Sequence, residues 1–165
     1  MSAGGALAVE VTMPCPSWRQ ECGEAEALAD AAARLALRRA EAPAAAVVDI
    51  VLTDDDAQRI LNRAWRDKDA PTNVLSFPAA DPSVPVPQGA PLLLGDVVLA
   101  FETVRREAAD QKKPFADHLR HLVVHGVLHL LGYDHVASAE AAAMETREIA
   151  ILAELGVPNP YSDTM

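Results

Sequence analysis

The stretch VHGVLHLLGYDH, from Val124 to His135, constrains this chain more than any other. It places three of the five histidines at the spacing H-x-x-x-H-x-x-G-x-x-H. His125 and His129 stand one turn apart on a single helix face. A zinc–nitrogen bond is only about 2.0–2.1 Å, so one ion engages neighbours on adjacent turns. His121 and His129 are about 12 Å apart along the axis at the rise of an α-helix, too far to share it. A third ligand must come from another segment, and Gly132 supplies the means. A left-handed residue after the last turn lets the chain double back and carry His135 toward His125 and His129. Three histidines leave a fourth position open for water or substrate, the arrangement of a catalytic rather than a structural zinc site. The sequence therefore predicts a metal-binding helix that ends in a glycine turn.

Metzincin proteases use the same ligand spacing, glycine included, but carry Glu directly after the first histidine as the general base. Here that place is held by Gly126. The built-in base is missing, and the absent side chain is expected to leave room beside the metal. A carboxylate from elsewhere in the chain could take over the role. The simpler inference is a reaction in which metal and a cation do most of the work. Phosphodiester cleavage fits: the metal polarises a phosphoryl oxygen while an arginine stabilises developing negative charge. In RNA the 2′-OH is a candidate nucleophile beside water, and the sequence does not choose between them. His118 and His121 share the histidine face as supporting hydrogen-bond donors, nucleic-acid contacts or simply polar members of the stripe. Asp134 either orients an imidazole or stabilises the turn.

The rest of the chain supplies the setting. Its 165 residues, half of them hydrophobic and 23% charged, fit one globular domain spanning 1–165. A net charge of −10 argues against indiscriminate nucleic-acid binding. Positive side chains still gather at Arg59-Arg63-Arg66-Lys68 and at Arg105-Arg106 with Lys112-Lys113. Cys15 and Cys22 match no zinc or redox pattern and read as reduced thiols. The N-terminal MSAGGALAVEVTMP lacks a positive region before its apolar residues, and no apolar run approaches a membrane span, so a soluble cytoplasmic protein is expected.

Strands are expected at 6–13, 44–53, 71–79 and 91–101, with Gly95 marking a bulge or a close backbone approach in the last. Helices are expected at 22–41, from Thr53-Asp54-Asp55-Asp56 through Trp65, over FETVRREAADQ, from Pro114 through Leu131 with Gly132 at C′, and at 138–156 with Ser138 as N-cap. Asp81–Pro91, with four prolines, reads as a loop. The sum is an α+β fold: a single layered domain with a small mixed β-sheet of about four strands packed with helices.

Three segments, LNRAWRDKDAPTNVLSFP (61–78), LLLGDVVLA (92–100) and HLRHLVVHGVLHLLGYDH (118–135), together resemble the YbeY family of bacterial zinc-dependent endoribonucleases. The resemblance runs from about Val47 to Glu154, and its two main motifs are long and specific. It implies that His125, His129 and His135 bind one zinc ion per chain. It also implies that Arg66 and the metal-bearing His125 are the catalytic residues, with a metal-activated water or the substrate 2′-OH as nucleophile. Lys68, Asp69 and Thr72 match the same motif, and Thr72, Asn73 and Ser76 are given no part in catalysis. Single-strand-specific cleavage of an rRNA precursor is implied, in small-subunit (16S) rRNA 3′-end maturation and ribosome quality control. The implied partners are RNA, the small subunit and its assembly factors, with no membrane and no nucleotide cofactor. Two rivals are a zinc peptidase or other hydrolase with its base outside the motif, and a non-catalytic ribosome-assembly factor with structural zinc.

Overall fold

The computed structural model describes residues 7–66, 72–79, 90–132 and 138–161, with no side chains given for Arg66 or for 138–140. Chain order runs β1 (Ala8–Thr12), α1 (Ser17–Glu21), α2 (Ala25–Arg39), β2 (Ala46–Thr53), α3 (Asp55–Arg66), β3 (Val74–Pro78), β4 (Leu92–Ala100), α4 (Phe101–Asp110), α5 (Phe115–Leu130) and α6 (Ser138–Glu154). The strands form one mixed sheet in the order β1-β2-β4-β3. β1, β2 and β4 are parallel, and β3 closes the edge antiparallel to β4. This is the α+β arrangement with four mixed strands that the sequence predicts. Most of the expected Asp81–Pro91 loop lies outside the described residues. Among the described residues no helix is long and apolar enough to cross a membrane.

Period-2 alternation sets the sheet's core face. Val48, Ile50 and Leu52 of β2 and Val97 and Leu99 of β4 are buried there with Val9 of β1. α2 packs on this core through a stripe made mostly of alanine: Ala25, Ala29, Ala32, Ala33 and Ala36, with Leu37. Leu28 and Leu35 are only partly buried against it. α1 was not foreseen as a separate element. It is one short turn anchored by the fully buried Trp18, whose Nε1 donates to Thr53 O at 2.8 Å and whose ring meets Phe101 and Phe115.

Two glycines seat α5 on the sheet, each for a different reason. Gly95 has φ +146° and lies where the β2–β4 register skips a residue, and a Cβ there would strike Phe77 O at 2.2 Å. The expected bulge and close approach are both present. Gly126 is buried and faces the strands: its Cβ would stand 2.5 Å from Val97 Cγ1 and 3.3 Å from Ser76 Oγ. Ser76 Oγ also donates to Gly126 O at 3.0 Å. The expectation that Gly126 leaves room beside the metal is thus corrected. The space its missing side chain vacates is filled by β3 and β4, because the glycine is where helix and sheet touch.

On the face opposite the core, Glu10, Asp49 and Asp96 stand in lateral register across β1, β2 and β4. Burial, and after it the neighbouring Asp49 carboxylate, push Asp96 above the ordinary aspartate value. Ionising Asp96 therefore costs more in the folded chain than in the unfolded one. A raised carboxyl pKa contributes stability below the unfolded value and loses it as pH rises through the folded one. Asp96→Asn keeps the side chain neutral at every pH. It should raise the urea midpoint at pH 7, with the gain fading toward pH 3.8, the unperturbed value. A pH-independent difference between the two proteins would rule out this origin.

Alanine at position 126 tests the helix seat. Overpacking a core typically costs about 1–3 kcal/mol, while alanine's helix preference over glycine returns at most about 1 kcal/mol. Gly126→Ala should therefore lose about 1–2 kcal/mol, read as a lower urea midpoint at constant slope. An unchanged midpoint would mean that moving Val97 aside costs no more than alanine's helix preference returns.

Candidate metal centre

α5 is buried around most of its circumference by Leu119, Leu122, Val123, Val124, Gly126, Val127 and Leu128. Because Gly126 turns toward the strands, the stripe carrying His121, His125 and His129 is left facing away from the sheet, at intermediate exposure. Pro114 is the N-cap of α5, one residue before the N1 position expected for it. At the other end Leu131 is the C-cap and Gly132 has φ +99°, the left-handed residue the spacing requires. His135 and Asp134, beyond that turn, lie outside the described residues.

The four helix histidines divide into two groups. His118 is buried and donates through Nε2 to Glu107 Oε1 of α4 at 2.9 Å. The same oxygen accepts from Asn73 Nδ2 at 2.9 Å. Burial lowers the His118 pKa in spite of Glu107, so the ring is held neutral as a tie between α5, α4 and the start of β3. His118 is therefore structural.

The other three form a chain: His129 meets His125, and His125 and His121 both meet Glu148 of α6. His125 Nε2 and His129 Nε2 are 3.0 Å apart, with ring centroids 4.6 Å apart and edge to face. The second nitrogen of His125, Nδ1, is 3.2 Å from Glu148 Oε1, and His121 Nε2 is 3.1 Å from Glu148 Oε2. Tyr161 OH donates to the same carboxylate, at 3.0 and 3.1 Å from its two oxygens. Burial alone would raise the Glu148 pKa, but the hydrogen bonds and charge of His121 and His125 outweigh it and hold the group at about 2. Burial, followed by the charge of Glu148, keeps the Tyr161 phenol above its ordinary value and hence an O–H donor.

An ionised carboxylate can only accept, so the imidazole nitrogens facing it must carry the protons. With Nδ1 protonated, His125 presents its Nε2 lone pair to the side where His129 stands. Two ligands of a tetrahedral zinc ion, with bonds of about 2.0–2.1 Å, lie about 3.3 Å apart, close to the spacing found. The chemistry of the donor set thus fits a metal. His121, His125 and Glu148 also offer ligand atoms within 4.8 Å of one another and could hold a metal ion. The two arrangements share His125.

Arg66 is the last residue of α3, and its side chain lies outside the described residues, as do Lys68 and Asp69. What is described is how this part of the chain is held. Gln58, fully buried in α3, donates Nε2 to Val98 O at 2.8 Å and accepts Thr72 N at 3.0 Å. It pins both ends of the segment that carries the arginine motif. Thr72 N, the Asn73 side-chain amide and the Ser76 hydroxyl each make a hydrogen bond within the fold. Glu148, Tyr161 and Gln58 were not singled out from sequence. Glu148 left one signal: it is a charged residue in the stripe of Met144, Ile151 and Leu152, the buried face of α6.

The model of the family described as Endoribonuclease YbeY matches residues 17–156. An Endoribonuclease YbeY of Paramagnetospirillum magneticum is 53% identical over 159 residues, covering 95% of this chain and 97% of that one. One of Rhodopseudomonas palustris is 52% identical over 157 residues, covering 94% and 91%. The solution structure of TM1509 from Thermotoga maritima shares the fold at a TM-score of 0.54 and 20% identity, over 94% of this chain and 97% of that one. Motifs, fold and relatives agree, and the chain belongs to the YbeY endoribonuclease family.

Proposed function

We propose that this protein is a zinc-dependent, single-strand-specific endoribonuclease that acts in 16S rRNA 3′-end maturation and ribosome quality control. Its relatives are named endoribonucleases, which supports an RNA-cleaving hydrolase with RNA as substrate. The observation that carries the zinc site is the convergence of His125 Nε2 and His129 Nε2 to 3.0 Å, with Glu148 on the far nitrogen of His125. On this reading His135, three residues after Gly132, is the third ligand of a three-histidine set for one zinc ion per chain. When bound, zinc supplies Lewis acidity at the scissile phosphate. Arg66 pairs with phosphate oxygens as negative charge develops on them. The chain, 1–165, acts as one YbeY-like domain in the cytoplasm. The net charge of −10 fits delivery of RNA by the small subunit and its assembly factors rather than capture of free RNA.

Glu148 bears on the peptidase rival, since it is the carboxylate from outside the motif that such an enzyme needs. Its side chain is 1% exposed and already accepts from three donors. It stands on the Nδ1 side of His125, away from His129. A buried, saturated acceptor on the wrong nitrogen is a poor general base.

His129→Ala should abolish both zinc retention, by elemental analysis, and cleavage of a defined rRNA precursor. Cleavage by a verified metal-free preparation of that variant would overturn the zinc reading. Arg66→Ala should retain zinc and lose about 100-fold in rate, the scale of removing one transition-state donor. An unchanged rate in a zinc-replete variant would take Arg66 out of the reaction. Casein cleavage by the wild type at matched metal content would favour the peptidase rival.

A further inference from the structure

The residues that fix His125 lie outside the metal motif. Glu148 comes from α6 and Tyr161 from the segment that follows it. That segment is folded back against the body of the protein. Val157 is buried and its N–H donates to Leu152 O at 2.8 Å. Pro160 O accepts from Lys113 Nζ at 3.3 Å, and Tyr161 N donates to Asn159 Oδ1 at 2.8 Å. The Tyr161 ring then sits edge-on to His121, with centroids 5.6 Å apart at 86°. Its hydroxyl reaches both oxygens of Glu148.

An imidazole has two tautomers, and only one leaves Nε2 able to bind a metal. A carboxylate on Nδ1 selects that tautomer and fixes the ring plane. Glu148 meets both conditions for His125, because its Oε1 stands 3.2 Å from Nδ1, within hydrogen-bond reach of that nitrogen and not on the Nε2 side of the ring. A buried carboxylate holding three donors from two segments also has little freedom to turn. Tyr161 supplies the one donor that comes from neither imidazole.

We propose that Glu148, held in place by Tyr161, is the positioning residue of the metal site, so that the folded-back segment carrying Tyr161 sets metal affinity. This rests on the reading that His125 binds the metal through Nε2. Neither residue touches the metal or the RNA in this arrangement. They act through His125, whose geometry they hold.

The test uses the full chain as wild type, Glu148→Gln and Tyr161→Phe. Zinc affinity is measured by competition with a chromogenic chelator, and histidine tautomers by 15N NMR with and without zinc. Thermal unfolding of the metal-free proteins reports folding. Wild type should show His125 as the Nδ1–H tautomer before zinc and as Nε2-bound after it. A glutamine can accept one imidazole N–H but offers an amide donor to the other, so Glu148→Gln should weaken zinc binding roughly 10- to 100-fold. Tyr161→Phe, which keeps the ring, should weaken it by a smaller factor while melting as the wild type does.

Affinity unchanged in a folded Glu148→Gln or Tyr161→Phe protein would overturn the proposal. So would an Nε2–H tautomer at His125 in the metal-free wild type, which needs no variant to fold. Zinc on Nδ1 of His125 would make Glu148 a ligand and overturn its positioning role. A wild type that takes up no zinc at His125 would instead overturn the zinc reading itself, with the tautomer still reporting on Glu148.

Discussion

The contact of Gly126 with Val97 and Ser76 is the constraint on which the rest of the site depends. A helix resting on a sheet is normally held off by the side chains that interdigitate between them. Here the backbone of α5 approaches β3 and β4 closely enough that a Cβ would overlap Val97, and Ser76 hydrogen-bonds to the helix at the same residue. Depth and rotation are then fixed together. Turning Gly126 to the strands buries Leu119 and Val123 on the same side and leaves the stripe of His121, His125 and His129 as the one face not packed into the core. α6 lies beside that stripe and brings Glu148 to it.

A second constraint is electrostatic. Glu148 is taken out of water almost completely, and an unpaired carboxylate in that position would be very costly. Two imidazoles and a phenol satisfy it. Each partner is oriented by the requirement to donate, so a buried charge becomes a source of geometric order. His118 illustrates the contrast. It also faces a glutamate, but from a more buried position where desolvation prevails, and its ring serves the packing of α4 against α5 rather than the cluster around Glu148.

What was legible in the sequence follows from the range of the interactions involved. The histidine spacing, the turn at Gly132, the bulge at Gly95 and the four strands of a mixed sheet obey local rules of period, capping and backbone conformation. The core contact of Gly126 does not. A glycine in a helix looks the same in sequence whether it opens space for a ligand or admits a neighbouring strand, and only the position of Val97 decides. Glu148 was hidden for a related reason. α6 reads as one more amphipathic helix until its buried face is seen to meet three donors, two from α5 and one from beyond its own end. α1 is too short to have a period, and it is defined by what Trp18 packs on rather than by its own pattern. Arg66 and His135 differ again. Their assignment comes from motif and family, since the Arg66 side chain and the whole of His135 lie outside the described residues.

Gly126 now carries two arguments that began as one. Chemically, it removes the glutamate that a metzincin protease uses as base. Sterically, it cannot take a side chain unless Val97 or α5 shifts. The departure from the protease pattern is thus tied to the packing of the whole layer, and restoring a glutamate by one substitution would dismantle the seat of the helix. A base would have to come from another element, and the carboxylate that α6 does bring is committed to the opposite nitrogen of His125. Chemistry that relies on a metal and a cation places less demand on such a base, because phosphoryl transfer draws mainly on positioning and charge stabilisation. That is the sense in which a packing constraint between a helix and a sheet favours RNA cleavage over peptide cleavage at this site.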